Sequence, residues 1–168
     1  MTFFRIERLG EQNRAAFSCG VEPLDHYLKA VATQDMRRGL ATCFVAIHPD
    51  TGSIEGYYTL SATSIEIEEY PEKKNVGRYN RIPAALLGRL AVNKPYNGQG
   101  LGKALLYDAM QKIISNPLAA AAIVVDAKDE RAAAFYQRQG FLSFGPGRSK
   151  YYLPLKTAKR LLSPPSEQ

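Results

Sequence analysis

Two cysteines and two histidines are the only thiols and imidazoles in this 168-residue chain. Cys19 and Cys43 are too few for a disulfide scaffold and lack metal-ligand spacing, so no metal site is expected. Both read as small core hydrophobes in a reduced, cytoplasmic compartment. His26 falls on a polar helix face and His48 borders a turn, with no partner pattern for either. Long apolar runs are also missing. None approaches the roughly 20 residues of a membrane span, so no membrane association is expected. The opening stretch, MTFFRIERLGEQNR, has no apolar core followed by a cleavage site, which argues against secretion. Internal repeats are absent.

What is present is the composition of an ordinary globular protein, 45% hydrophobic and 23% charged. At this length we expect one domain over 1–162 with a flexible tail at 163–168. The net charge is +6, and it is unevenly placed. Residues 1–96 hold 12 basic and 11 acidic side chains, a balance of +1, whereas residues 97–168 hold 10 and 5, a balance of +5. Such a basic half suits an anionic partner, a phosphorylated cofactor or a nucleic acid, although basicity of this size also serves solubility alone.

Periodicity predicts a mixed α/β order. Residues 3–9 read as a first strand. Pro23 opens a helix with Leu24, Tyr27, Leu28 and Val31 on one face. Thr42–Ile47 and Gly56–Leu60 read as a hairpin around the Pro49-Asp50-Thr51-Gly52 turn, with a further strand from Ala62 to Ile67. Residues 68–82 are polar and without period, a loop whose length suggests function or mobility. Leu86–Val92 returns to strand character. A core-facing helix then runs from Leu101 to near Asn116-Pro117. Ala122–Ala127 suits a buried strand, Asp129 a helix cap, and Gly140 that helix's end. Phe141–Phe144 and Lys150–Leu155 supply the last strands, and Thr157–Leu162 a short helix.

The densest glycine cluster lies between strand and helix, in Asn97-Gly98-Gln99-Gly100-Leu101-Gly102-Lys103. Glycines in such a place let backbone approach a ligand, and successive N–H groups with a helix N-terminus favour an anion. Spacing separates the nucleotide motifs. A P-loop needs glycine where Asn97 stands and Ser or Thr where Ala104 stands, so it fails twice. A dinucleotide fingerprint from Gly98 fails at Lys103, though Asp126 stands at a tolerable distance for a ribose-binding acid.

The same stretch resembles the Gln/Arg-x-x-Gly-x-Gly/Ala signature of the GNAT acyltransferases, with Asn97 a shorter amide in place of Gln or Arg. Ala133-Ala134-Phe135-Tyr136 through Gly140-Phe141 resembles that family's second signature. The opening Phe17-Ser18-Cys19-Gly20-Val21-Glu22-Pro23-Leu24-Asp25, with Leu87-Gly88-Arg89-Leu90-Ala91-Val92, narrows the resemblance to the GNAT toxins of type II toxin–antitoxin modules. It covers about residues 3–160.

The resemblance implies an α/β domain with a splayed central sheet flanked by helices, and acetyl-CoA as co-substrate. By position, the cofactor site is Leu90, Ala91, Val92, Asn97, Gly98, Gln99, Gly100, Leu101, Gly102 and Lys103, and Tyr136 is the general acid. It also implies acetyl transfer to the α-amine of aminoacyl-tRNA, a homodimer, and a ribbon-helix-helix antitoxin. The residues themselves add one point: Leu90–Val92 carries no carboxylate to serve as base. An α-amine titrating near ~8 needs one less than a lysine near ~10.4. Arg37, Arg38, Arg78, Arg81 and Arg89 are candidates for tRNA phosphates. Two alternatives are a GNAT enzyme for a small amine or protein N-terminus, and a non-catalytic cofactor- or DNA-binding regulatory module. Tyr136 in register, and the lack of a helix-turn-helix signal, weigh against the latter.

Overall fold

The computed structural model describes residues 3–164. The elements are β1 (Arg5–Arg8), α1 (Glu22–His26), a π-helical segment (Tyr27–Val31), α2 (Ala32–Arg37), β2 (Thr42–Ile47), β3 (Ile54–Glu66) and β4 (Arg81–Val92). After them come α3 (Leu101–Ser115), β5 (Ala122–Asp126), α4 (Glu130–Arg138), β6 (Leu142–Ser143), β7 (Lys150–Pro154) and α5 (Leu155–Leu162). The seven strands are ordered β1-β2-β3-β4-β5-β7-β6, a mixed α/β architecture. Of the tail expected at 163–168, residues 165–168 lie outside the described part. Among the described residues no helix is long and apolar enough to cross a membrane.

The chain divides into two compact units. One runs to Ser61 and takes in Leu87–Ala109; the other comprises Ala62–Leu86 and the chain from Met110 onward. In the first, β1 and β2 pair antiparallel, as do β2 and β3, with a bulge between Ala46 and Ile47. Its core gathers Phe17, Leu28, Val45, Ile54, Tyr57 and Ala91, with Tyr27 against them. In the second, β7 lies antiparallel to both β5 and β6 around Ile65, Tyr70, Ile82, Val124 and Tyr152.

Several local expectations are corrected. The two strands expected at 56–60 and 62–67 are one 13-residue strand. Nothing in Leu60-Ser61-Ala62 breaks it, since no glycine or proline intervenes. The helix opened by Pro23 is interrupted: the Ala32 N–H reaches back five residues to the Tyr27 carbonyl, and the Arg14 Nη1 donates to the Leu28 carbonyl at 2.8 Å. A long-range arginine therefore stabilises the irregular turn, which no local pattern signals. The long polar loop contains two single-turn 3-10 segments, and β4 begins at Arg81, five residues before its apolar run. Phe141–Phe144 contributes only a two-residue strand.

Candidate acyl-donor cradle and its acid

Strand β4 delivers the chain to the glycine cluster, and a buried polar hub fixes where it arrives. Asn93 follows the last strand residue. Its N–H donates to the Glu55 carbonyl at 2.9 Å and its Nδ2 to Glu55 Oε2 at 2.7 Å. Its Oδ1 accepts the Ser18 N–H at 2.9 Å, and the Lys94 N–H donates to the Ser18 carbonyl at 2.9 Å. Glu55 is only 7% exposed, so this carboxylate is held by hydrogen bonding rather than by water. Nearby, buried Asp25 accepts the Cys19 N–H at 2.8 Å.

The hub was not among the sequence-derived candidates. The one available signal was an acidic residue inside the apolar stretch around Ile54 and Tyr57. Cys43 is fully buried, as expected, and burial pushes its thiol up to about 12. Cys19, expected in the core, is half-buried beside this hub.

Beyond Asn93, a 3-10 turn (Lys94–Tyr96) leads into the cluster. Gly98 and Gly100 take φ of +75° and +84°, conformations that only glycine adopts freely, and a Cβ at either would meet nothing within 4 Å. Their surface is therefore open. The Gly100 carbonyl accepts the Ala104 N–H at 3.0 Å, which places Gly100 at the cap of α3. No hydrogen bond among the described residues uses the N–H groups of Gly98, Gln99, Gly100, Leu101, Gly102 or Lys103. The first turn of α3 contains no acidic side chain.

Six successive N–H groups without a protein acceptor, the last three in the first turn of α3, are an arrangement that favours an anion. The helix is seated close. A Cβ on Gly56 of β3 would lie 2.9 Å from Leu105 Cδ1 and 3.2 Å from the Ala91 carbonyl, so any side chain here would require Leu105 and the β4 backbone to shift.

The side chains of the cluster play lesser parts. Gln99 Nε2 donates to the Pro95 carbonyl at 2.9 Å and braces the loop. The N–H of exposed Asn97 donates to the Lys94 carbonyl at 3.2 Å, and its side chain makes no hydrogen bond among the described residues. Lys103 Nζ lies 5.5 Å from the Tyr107 ring centroid, a cation over an aromatic face. Of the strand positions, Ala91 is buried, and Leu90 and Val92 are half-buried. The pyrophosphate of acetyl-CoA fits a receptor of this kind, because it presents several anionic oxygens to a row of backbone donors.

Tyr136 belongs to the second unit. Helix α4 begins at Asp129, whose Oδ1 accepts the Ala132 N–H at 2.8 Å, and ends before Gly140 at φ +102°. The Tyr136 ring is 7% exposed and packs edgewise on Phe135 at 5.2 Å and Phe141 at 5.3 Å. Burial pushes its phenol well above the ordinary value. Its hydroxyl makes no hydrogen bond among the described residues and is not a sealed, unpartnered polar atom, so it remains open at one end. A neutral phenol with a fixed ring and a free O–H is equipped to give up a proton.

The five arginines are not alike. Arg37, Arg38 and Arg78 are exposed. Arg81 is paired with Glu66 at 2.8 Å. Arg89 lies half-buried over an aromatic ring. His48 packs against Phe4 and Tyr96, and no group of three or more His, Cys, Asp or Glu side chains among the described residues could hold a metal ion.

Comparison with known proteins agrees with this chemistry. A tRNA-acetylating toxin of Mycobacterium tuberculosis is 33% identical over 123 residues, 72% of this chain and 73% of that protein. The solved structure of AtaT complexed with acetyl-methionyl-tRNA is similar with a TM-score of 0.87 and 27% identity, covering 96% of this chain and all of that one. A Tyr-to-Phe mutant of AtaT, bound to the C-terminus of the antitoxin AtaR and to acetyl-CoA, gives 0.81 and 26% over 96% and 99%. The family model described as acetyltransferase (GNAT) domain matches residues 39–142, a span that contains the unengaged amide row, its supporting hub residues Glu55 and Asn93, and Tyr136. By this match, which spans more than half of its length, the chain belongs to the GNAT acetyltransferase family.

Proposed function

We propose that this protein is a toxin N-acetyltransferase that moves acetyl from acetyl-CoA to the α-amino group of aminoacyl-tRNA and so blocks translation. The observation that carries the acetyltransferase half is the row of six unengaged N–H groups from Gly98 to Lys103. The tRNA half is supported by the M. tuberculosis relative and by the AtaT complex with acetyl-methionyl-tRNA.

Acetyl-CoA supplies an acetyl group activated as a thioester. Residues 98–103 hold its pyrophosphate, with Lys103 adding positive charge. The backbone of Leu90–Val92 offers N–H groups to the pantetheine arm and the thioester oxygen. The neutral amine nitrogen forms the new bond to the acetyl carbon while the carbon–sulfur bond breaks. Tyr136 gives its proton to the departing sulfur and takes one back from water, to which the amine releases its own. The absence of a carboxylate in Leu90–Val92 suits an amine of low pKa, and esterification of the amino-acid carboxyl lowers that pKa further. We further propose a cytoplasmic homodimer restrained by a ribbon-helix-helix antitoxin. The AtaT complex with its antitoxin supports the existence of such a partner.

The deciding experiment is transfer of radiolabelled acetyl from acetyl-CoA to bulk charged tRNA, with deacylated tRNA as control. Label in the charged pool alone is expected. Label in neither, with transfer to small amines retained, favours a small-amine acetyltransferase.

A further inference from the structure

Arg89 stands apart from every other arginine proposed to meet tRNA. Its Cζ lies 3.5 Å from the centroid of the Tyr27 ring, closer than most cation–aromatic pairs. The ring itself is fixed from three sides. Tyr27 is 4% exposed, stacks on Tyr57 at 6.3 Å and 17°, and donates its hydroxyl to Asp35 Oδ2 at 2.9 Å. It opens the π-helical segment, whose wide turn is secured by Arg14 through Leu28 and Thr33.

The guanidinium is therefore oriented by packing, yet it makes no hydrogen bond or ion pair among the described residues. Arg81, by contrast, already has Glu66, and Arg37, Arg38 and Arg78 lie exposed with no ring beneath them. A half-buried guanidinium held against a fixed ring, with its donors unspent, is a preorganised receptor for a planar or tetrahedral oxyanion.

The substrate's chemistry selects the anion. In aminoacyl-tRNA the amino-acid carboxyl is esterified and carries no charge. The anion nearest the reacting amine is then the phosphodiester on the 5′ side of the terminal adenosine. The pyrophosphate of acetyl-CoA already has the amide row. Arg89 sits three residues before Val92 on β4, roughly 10 Å along the same strand that runs into the cradle. Resting on the aminoacyl-tRNA reading, we propose that Arg89 binds the last phosphodiester of charged tRNA, and that Tyr27 and Asp35 are its positioning residues.

The test compares two acceptors, an aminoacylated CCA trinucleotide and the same amino acid esterified to adenosine, which lacks the phosphodiester. For the wild type, kcat/KM with the trinucleotide is expected to exceed that with the adenosine ester by about 10-fold or more, the scale of one charge-assisted hydrogen-bonding contact. Arg89→Gln should bring that ratio close to one, mainly through KM, with the acetyl-CoA dissociation constant little changed. Arg89→Lys should fall between, having charge without the planar fork. Tyr27→Leu should mimic Arg89→Gln in the ratio, whereas Tyr27→Phe keeps the ring and should rescue most of it. Thermal melting of each variant identifies any that fails to fold, and the Lys and Phe substitutions then carry the comparison. A ratio unchanged in Arg89→Gln, an equal loss on both acceptors, or an effect confined to acetyl-CoA binding overturns the assignment of Arg89. Failure of the wild type to acetylate charged tRNA overturns the aminoacyl-tRNA reading together with it.

Discussion

Tyr136 and Arg89 are both aromatic–polar arrangements in which packing fixes the group proposed to react or to bind, and they differ in what packing does. For Tyr136, burial keeps the phenol protonated, so the proton is available whenever a stronger base appears. Tyr136→Phe removes that proton and little else, because the ring's contacts with Phe135 and Phe141 survive. General acid catalysis is worth about 10²–10⁴, so turnover should fall at least ~100-fold while calorimetric titration shows acetyl-CoA affinity intact. Turnover within a few fold of wild type would remove Tyr136 from the chemistry. The tyrosine was visible in the sequence because a short helical signature surrounds it. Glu55 and Asn93 were not. They are 38 positions apart, and their meaning comes from a pairing that no local pattern encodes. Tyr27 was visible as an apolar-face residue, but not as the floor beneath Arg89.

At the level of elements, the informative segment is the turn between β4 and α3. Its helix was legible from the four-residue recurrence of Leu101, Leu105, Ala109 and Ile113, and its glycines from their density. The continuous β3 and the π-helical interruption were less so: the first is a matter of no breaker being present, the second of Arg14 reaching from 14 residues away. The turn also allows a clean separation of sterics from charge. At Gly100 a Cβ finds open space but must accept φ +84°. Gly100→Ala should therefore cost roughly 1 kcal/mol in stability, read by denaturation, and retain measurable acetyl-CoA binding. Gly100→Asp adds a negative charge beside the anion receptor and should abolish binding in the same titration. Equal behaviour of the two variants would mean that the loop holds no anion. Asn97→Gln should bind normally, since the native side chain is exposed and engages nothing among the described residues. Because the amides of residues 98–103 have no acceptor, they should exchange hydrogen fast in the free protein and slow on addition of acetyl-CoA. Exchange mass spectrometry then reads occupancy without any mutation.

Over the whole molecule, the +6 net charge predicts how binding responds to salt. Association with tRNA should weaken steeply as salt rises, with a log–log slope of roughly −0.7 to −0.9 for each phosphate neutralised. Acetyl-CoA, held by fixed backbone donors, should respond far less. Filter-binding and calorimetry over one salt series compare the two, and a flat response for tRNA would count against nucleic acid as the substrate. The partition of the chain bears on synthesis as well. The unit that holds the amide row is closed by Leu87–Ala109, and the unit that holds Tyr136 needs residues from Met110 onward. The ribosomal tunnel shelters a few tens of residues, so by the time Ala109 reaches solvent the chain has already been extended past Tyr136. The amide row and the proposed proton donor therefore leave the ribosome in close succession, and the chain is nearly finished before either can meet a ligand.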